Sequence, residues 1–358
     1  EMSASLVGSE MCIRDRLGDE ARGRGKDVIL APGINIKRTP LCGRNFEYMS
    51  EDPHLTGRMA VPLVQGIQSQ DVAACVKHFA LNNQECDRLS VDTKVDDKTL
   101  FELYLPAFYD ALMEGGSYSV MGAYNKYDGE FCCENATLLK KILRDLWHYD
   151  GVTISDWGGV HNTEKTALNG VDMEMSVTPD FDDYKLANPL LEKVKSGKID
   201  ESVIDKRIER ILTMMERIKL GDKTRNKGCT NTKDHQQTIQ QIAEEGIVLL
   251  KNDTAHLPLS KETKKILVLG DNAKRTHAAG GGSAEIKALY DISPLLGMRM
   301  VLGGDAQIDW LPGYYVDNEK HVTGEVDWQA ESLDVDYTTD RGKEQFDKEI
   351  RPIREKYL

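Results

Sequence analysis

The chain lacks any apolar run that approaches the roughly 18 residues of a membrane-spanning helix, so no membrane partner is predicted. It also lacks a basic stripe. The 46 Lys and Arg residues stand against 59 Asp and Glu, a net charge of −13, which argues against a nucleic acid partner. Its 7 cysteines form no CxxC pair, and its histidines do not cluster with carboxylates at metal-ligand spacing. The sequence therefore predicts neither a metal nor a cofactor.

The cysteine count is odd, which fits unpaired thiols in a reducing compartment and favours a cytoplasmic location. With 40% hydrophobic and 29% charged residues, the composition is typical of a soluble globular protein. A length of 358 residues is enough for two domains with well-buried cores. Nothing in the sequence indicates the oligomeric state.

The two ends of the chain are abrupt. Residues 1–16 have neither an amphipathic period nor the apolar region of a signal peptide, and we interpret them as a non-native tail derived from adapter sequence. A disordered native tail is the alternative interpretation. The last residues, 345–358, predict a helix with no cap after it. Both ends therefore indicate a fragment.

Short apolar runs alternate with amphipathic helical patterns over residues 17–220. Alternation of this kind predicts a parallel sheet, and the (β/α)8 barrel is the commonest such fold in enzymes. A closed barrel needs eight units, so either the sheet is open and doubly wound or about three units are missing, which the abrupt start favours. The predicted strands are 27–32, 73–79, 118–124, 151–156 and 170–175, and the predicted helices are 57–69, 97–114, 136–148, 161–168, 184–196 and 201–220.

A second domain is predicted after this region. The segment 221–233 is polar, rich in Gly, Asn and Lys, and without period, which is typical of a linker. Residues 234–358 then predict a second α/β domain, with a helix at 234–250, a strand at 265–270 and a helix at 294–300. A glycine run at 280–283 follows the strand but lacks the order of a nucleotide-binding loop.

Asp156 stands where a predicted strand ends and is followed by Trp157 and two glycines. Side chains at the carboxyl ends of barrel strands face the substrate. A carboxylate that attacks the anomeric carbon, beside an aromatic ring that packs on the sugar, suits a retaining glycosidase. An aspartate that caps the following helix is the structural alternative, and this segment alone does not separate the two.

Lys77 and His78 end another predicted strand and precede a cluster of amides. Both side chains can donate hydrogen bonds to sugar hydroxyls. Lys77 can also be a Schiff-base lysine of a barrel lyase, although the carboxylates that follow favour a charged hydrogen-bond donor.

Two further strand ends carry polar or aromatic groups. Arg44 and Glu47 lie in a long polar loop after the first strand and can pair at the base of a pocket, or the loop can be solvated surface. Tyr124 can donate a hydrogen bond to Asp156, or be a core tyrosine. Because four strands end in groups suited to a polyhydroxylated ligand, we expect these groups to form one carbohydrate site.

Several motifs, in this order along the chain, resemble glycoside hydrolase family three, and most closely its β-glucosidase branch. The likeness spans about 17–315. The motifs are APGINI (31–36), LCGRNFE (41–47), SEDP (50–53), KHF (77–79), NNQE (82–85), SDW (155–157), AEEGIVLLKN (243–252) and GGGS (280–283).

The resemblance implies a partial (β/α)8 barrel followed by a partial α/β sandwich, and retaining, exo-acting hydrolysis of a terminal β-linked glucose through a glycosyl-aspartate. Asp156 matches the family's nucleophile, and Trp157 matches the aromatic residue beside it. The residues that match the first sugar subsite are Arg44, Lys77, His78 and Tyr124. The β-N-acetylglucosaminidase branch is disfavoured, because ALNN (80–83) replaces its histidine-bearing loop.

Two parts of the family pattern are missing from the chain. One is the early barrel strands with an Asp that binds the outer sugar hydroxyls. The other is the glutamate acid/base of the second domain, because Glu325 and Glu331 lack its flanking pattern. The fragment is therefore expected to have little activity alone. A β-xylosidase or another β-glycosidase, a Lys77 lyase and a non-catalytic carbohydrate-binding relative remain as alternatives.

Overall fold

The computed structural model describes residues 15–260, 262–275, 286 and 288–311. The chain divides into two compact units, 1–248 and 249–358. The predicted boundary lay earlier, with a linker at 221–233. In the structure this segment is attached to the first unit, because Arg225 pairs with Asp27 at 2.6 Å and the Asn226 amide donates to Asp71 at 2.9 Å. The helix Lys233–Gly246 also lies before the division.

The first unit is built on a parallel four-stranded sheet, with its strands in the order β1 (Val28–Ile29), β2 (Ala73–Phe79), β4 (Ser119–Gly122) and β7 (Val152–Ile154). The second strand coincides with the predicted run 73–79, and its first four residues are wholly buried, as expected of a strand covered on both faces. The predicted strand at 170–175 is instead a single bridge between Met173 and Ile154.

Three strands of two residues each form a small separate sheet that was not predicted, because runs this short show no period. They are β3 Asp92–Thr93, β5 Lys126–Tyr127 and β6 Glu130–Phe131.

Helices connect and cover the strands of the large sheet, close to where the sequence predicts them. The helix Pro53–Ser69 begins four residues early, because Asp52 accepts a hydrogen bond from the His54 amide and proline occupies the first helical position. The stretch 97–114 is helical in four pieces. It begins at Asp96, whose side chain accepts from the Thr99 amide, and contains wide turns such as the hydrogen bond from Leu105 N to Leu100 O. The helix 15–23 was not predicted, and it begins inside the tail 1–16 that was set aside as non-native. The other helices of at least seven residues in this unit are Thr137–Leu146, Thr163–Asn169, Asn188–Lys195, Ser202–Arg217 and Lys233–Gly246.

A buried ionic cluster joins β7 to the helices beside it. The Asp172 side chain is wholly buried and pairs with Arg144 at 2.9 Å and Arg210 at 2.8 Å. Its Oδ2 also accepts from the Thr153 amide at 2.8 Å, and Arg144 donates to the Gly151 carbonyl at 2.8 Å. The cluster thus fixes the strand that leads into Asp156.

In the second unit, β8 (Lys265–Leu269) pairs in parallel with β9 (Gln307–Leu311), and the helix Pro294–Leu302 lies between them in the chain. Ser293 caps this helix by accepting from the Leu296 amide at 3.2 Å. The glycine run at 280–283 and the predicted helix at 345–358 fall outside the described residues. Among the described helices, none is both long and apolar enough to span a bilayer.

Candidate active site

Asp156 lies two residues beyond the end of β7 and is 5% exposed. Its Oδ1 accepts a hydrogen bond from the Trp157 amide at 2.8 Å, whereas its buried Oδ2 accepts none from the described residues. Burial raises the pKa of this carboxyl, and the Trp157 amide and the positive charges of Arg44 and Lys77 oppose the rise. The capping alternative does not hold, because Asn162 caps the next helix, Thr163–Asn169.

His78 is almost fully buried, with its Nε2 3.9 Å from Asp156 Oδ2. Its Nδ1 lies 3.2 Å from the Tyr48 hydroxyl. Asn35 fixes its backbone on both sides, accepting from the His78 amide at 2.8 Å and donating to the His78 carbonyl at 2.9 Å. Burial, together with the nearby Arg44 and Lys77 charges, holds the pKa of His78 well below its ordinary value. The neutral imidazole therefore offers a hydrogen bond rather than a charge.

Glu47 connects Arg44 and Lys77. The Arg44 Nε donates to Glu47 Oε1, so the predicted pair is formed, and the Lys77 Nζ lies 3.7 Å from Glu47 Oε2. Burial alone would lower the pKa of Arg44, but the hydrogen bond and charge of Glu47 raise it. The guanidinium therefore keeps its charge in a buried position.

Tyr124 follows β4 and is half-buried beneath a cation. The Arg88 guanidinium carbon lies 5.0 Å from the centre of its ring, and Arg88 pairs with Glu85 at 2.6 Å. Burial and the Asp156 charge raise the pKa of the Tyr124 hydroxyl. Hydrogen bonding to the Asp156 carboxylate raises the pKa of this hydroxyl further, so the two side chains interact as the sequence predicts.

Trp157 is 48% exposed, beside the buried Asp156. A half-open indole next to a carboxylate offers an apolar surface on which a sugar ring can pack.

Four of the six predicted site residues lie in loops that follow strands, and Lys77 and His78 lie near the end of β2. His78 and the Trp157 amide contact Asp156, and Glu47 joins Arg44 to Lys77. Sequence reasoning missed the groups that hold the predicted site residues in place: Asn35, Tyr48 and Arg88. Asn35 lies within the APGINI motif and Tyr48 directly follows Glu47, so their positions were visible, but their contacts with His78 depend on the fold.

Comparison with known proteins places the chain in a family. The Glycosyl hydrolase family 3 N terminal domain matches residues 12–214, and the Glycosyl hydrolase family 3 C-terminal domain matches 247–350. This chain belongs to glycosyl hydrolase family 3. The first match begins inside the tail 1–16 that was set aside as non-native, and the second begins close to the division after Val248.

Two curated relatives that resemble the chain carry the name β-glucosidase. The chain is 44% identical over 302 residues to a beta-glucosidase of Bacteroides ovatus. The aligned region covers 80% of this chain and 40% of the relative. It is 39% identical over 325 residues to the thermostable beta-glucosidase B of Acetivibrio thermocellus, covering 89% and 42%. The chain thus spans about two fifths of the length of these family 3 relatives.

Solved family 3 structures share the fold. Beta-glucosidase 3B from Thermotoga neapolitana in complex with glucose matches with a TM-score of 0.76 at 34% identity, covering 99% of this chain and 45% of that one. Beta-glucosidase from Kluyveromyces marxianus in complex with glucose matches with a TM-score of 0.77 at 34% identity, covering 88% and 38%. The predicted fold class, a partial barrel followed by a partial α/β sandwich, is confirmed.

Proposed function

We propose that the whole protein is a retaining, exo-acting β-glucosidase and that Asp156 is its nucleophile. One observation carries the proposal. Asp156 Oδ2 is buried at the end of a barrel strand without a hydrogen-bond partner among the described residues, while Arg44, Lys77 and Arg88 favour its charged form. A carboxylate oxygen that no hydrogen bond occupies is free to attack an electrophilic carbon.

The reaction follows from this geometry. The Asp156 carboxylate forms a bond to the anomeric carbon as the glycosidic bond breaks, and a general acid protonates the departing oxygen. Water then attacks the same carbon, gives up its proton to the same acid/base group, and releases both glucose and the Asp156 carboxylate. Two inversions leave the sugar with its original β configuration.

The residues around Asp156 can bind the sugar ring, and we assign none of them a role in breaking the glycosidic bond. Lys77 and Arg44 offer charged donors, and the neutral His78 offers an N–H group, so adjacent hydroxyls can be bound together. Trp157 gives the apolar face of the sugar a surface to pack on. The Glu47 partner of Lys77 supports a charged donor and argues against a Schiff-base lyase.

The general acid is not assigned. Glu325 and Glu331, considered in the sequence analysis, lie outside the described residues. Glucose is proposed as the sugar because the two curated relatives are named as β-glucosidases and both solved structures hold glucose. A relative named as an arabinopyranosidase, at 35% identity, makes pentosides the alternative substrates to include.

Covalent trapping tests the nucleophile. The chain is incubated with a 2-deoxy-2-fluoro-β-glucoside that carries a dinitrophenyl leaving group, which departs without protonation, so an unassigned acid does not prevent labelling. We expect one fluoroglucosyl group on Asp156, located by peptide mass spectrometry. The corresponding xyloside and arabinoside, used in parallel, rank the sugars.

Two variants serve as controls for the trapping. Asp156→Asn should remain unlabelled, and Asp145→Asn, which changes an exposed helix aspartate, should label as the parent chain does. A label on a residue other than Asp156 would overturn the assignment.

We further propose that the protein works in a reducing compartment. In support, the four buried cysteines among the described residues are free thiols: Cys42, Cys75 and the adjacent pair Cys132 and Cys133. Fractionation of the native host with an antibody tests this, and recovery outside the cytoplasm would contradict it.

A further inference from the structure

A cluster of three potential metal ligands lies in the first unit, apart from the residues around Asp156. Asp19 lies on the helix 15–23, Cys229 in the segment after the barrel region, and His235 in the first turn of the helix Lys233–Gly246. Asp19 and Cys229 are 210 residues apart in the chain. Spacing in the sequence therefore gave no sign of the cluster, and it arises from the fold.

The donor atoms of the three side chains point at one another. His235 Nε2 lies 3.5 Å from Asp19 Oδ2 and 3.8 Å from Cys229 Sγ. Metal bonds of about 2.0–2.3 Å place tetrahedral ligand atoms about 3.3–3.6 Å apart, so both distances are near those a zinc ion requires. The third distance, 2.7 Å from Cys229 Sγ to Asp19 Oδ2, is a thiol hydrogen bond that would have to open.

A second carboxylate orients the histidine. His235 Nδ1 lies 2.8 Å from Glu20 Oε1, and the His235 side chain is only 5% exposed. Metal-binding histidines are usually held in this way, with one ring nitrogen on a carboxylate and the other turned to the ion. Arg24 pairs with the other Glu20 oxygen at 3.0 Å, so the negative charge of Glu20 has a partner without the metal.

Two glycines allow the segment that carries Cys229 to approach the helix 15–23. A Cβ at Gly23 would lie 2.7 Å from the Cys229 carbonyl group. Gly228 has a φ of +66°, and a Cβ there would lie 2.3 Å from the Gly23 nitrogen. The two backbone segments are too close for a side chain at either position. Glycine at both positions therefore allows Cys229 to lie against Asp19.

We propose that Asp19, Cys229 and His235 bind one zinc ion, with water as the fourth ligand. A thiolate and an imidazole suit zinc better than calcium or magnesium, which prefer oxygen ligands. On binding, Cys229 releases its proton to solvent and forms a sulfur–zinc bond. The thiolate and the Asp19 carboxylate then match the two positive charges of the ion. The site would join the helix 15–23 to the helix Lys233–Gly246.

Titration of the metal-free 358-residue chain with zinc, in competition with a chromophoric chelator, tests the proposal. We expect one zinc per chain, and a thiolate-to-metal charge-transfer band in the near ultraviolet when cobalt replaces zinc. Cys229→Ser should abolish that band, and both Cys229→Ser and His235→Gln should weaken zinc binding by at least ~10-fold, the range found when metal-site residues are altered.

Cys86→Ser is the matched control. Cys86 is also exposed beside a carboxylate, with its Sγ 3.7 Å from Asp87 Oδ2, but it belongs to no three-ligand group among the described residues. Its replacement should leave zinc and cobalt binding unchanged.

Two results would overturn the proposal. One is the absence of a stoichiometric cobalt band in the parent chain, which needs no variant to fold. The other is zinc binding that Cys229→Ser and His235→Gln leave intact. Circular dichroism of each variant shows that a lost site is not a lost fold.

Discussion

Asp156 and Asp172 are both buried aspartates near the carboxyl end of the same sheet, and their partners separate their roles. Asp172 has two arginines and a backbone amide on its oxygens. Asp156 has one backbone amide on Oδ1 and nothing on Oδ2 among the described residues. A fully paired carboxylate supports structure, whereas one left half-bonded can react.

The raised pKa of Asp156 has a consequence for stability. A carboxyl whose pKa is higher in the folded than in the unfolded chain binds protons more readily when folded, so stability declines as the pH rises through that pKa. Asp156→Asn cannot ionise and keeps the oxygen that accepts from Trp157. We expect the variant to gain stability relative to the parent chain between pH 4 and pH 7, measured by thermal unfolding.

Asp145→Asn, at an exposed position, should show no such trend. A difference between Asp156→Asn and the parent chain that is constant with pH, or larger at pH 4, would contradict the assigned shift.

Glu47 is predicted to be a positioning residue for the sugar. Glu47→Gln removes the charge that holds both Arg44 and Lys77. The apparent binding constant for the fluoroglucoside should weaken about tenfold, the effect of one hydrogen bond to a charged group at about 1.5 kcal/mol, while the limiting rate of trapping changes less. Glu51→Gln, in the same loop but exposed, is the control. Equal losses in the binding constant and in the limiting rate of trapping would instead indicate that the variant disturbs the fold of the site as a whole.

At the residue scale, the sequence identified side chains that follow strands, because their place depends only on where each strand ends. It missed Asn35 and Tyr48 as supports of His78, since those contacts join residues 43 and 30 positions apart.

The ionic cluster under β7 is the element-scale feature on which Asp156 depends. Asp172→Asn leaves Arg144 and Arg210, whose side chains are 12% and 24% exposed, without their wholly buried carboxylate partner. Breaking a buried pair costs about 3–5 kcal/mol, so we expect a loss of that order in the free energy of unfolding, measured in urea.

Asp150→Asn is the comparison for this cluster. Asp150 also pairs with an arginine, Arg217 at 2.6 Å, but its side chain is 69% exposed. Exposed pairs contribute about 0–1 kcal/mol, so this change should cost little. Equal losses from Asp172→Asn and Asp150→Asn would show that burial of the cluster is unimportant.

Elements with a strong period were predicted well and those without one were not. The continuous apolar run 73–79 became β2 with the same bounds, and the pattern at 97–114 became helix. The two-residue strands of the small sheet exist only through pairing with distant partners, as Asp92 does with Lys126. Local sequence carries no signal for such contacts.

At the scale of the whole molecule, the division between the units differs from the predicted linker, and proteolysis distinguishes the two. Lys251 lies just after the division, has a side chain that is 79% exposed, and belongs to no described helix or strand. Lys223 and Lys227 lie in the segment that Arg225 and Asn226 attach to the first unit. Trypsin should therefore cut first after Lys251.

Lys251→Gln should remove that early cut, and Lys223→Gln should leave it in place, with fragments identified by mass spectrometry. An initial cut within 221–233 would support the predicted linker instead.

The half-exposed Trp157 gives the molecule an optical property. Indole emission responds to the polarity around the ring and is quenched by dissolved iodide. Trp157, at 48% exposed, is open to both effects, whereas Trp147, at 8%, is shielded. A ligand lying on Trp157 would cover the ring that the quencher reaches. Binding of a ligand beside Asp156 can therefore be measured at equilibrium as reduced iodide quenching of the tryptophan fluorescence, without cleavage of any bond.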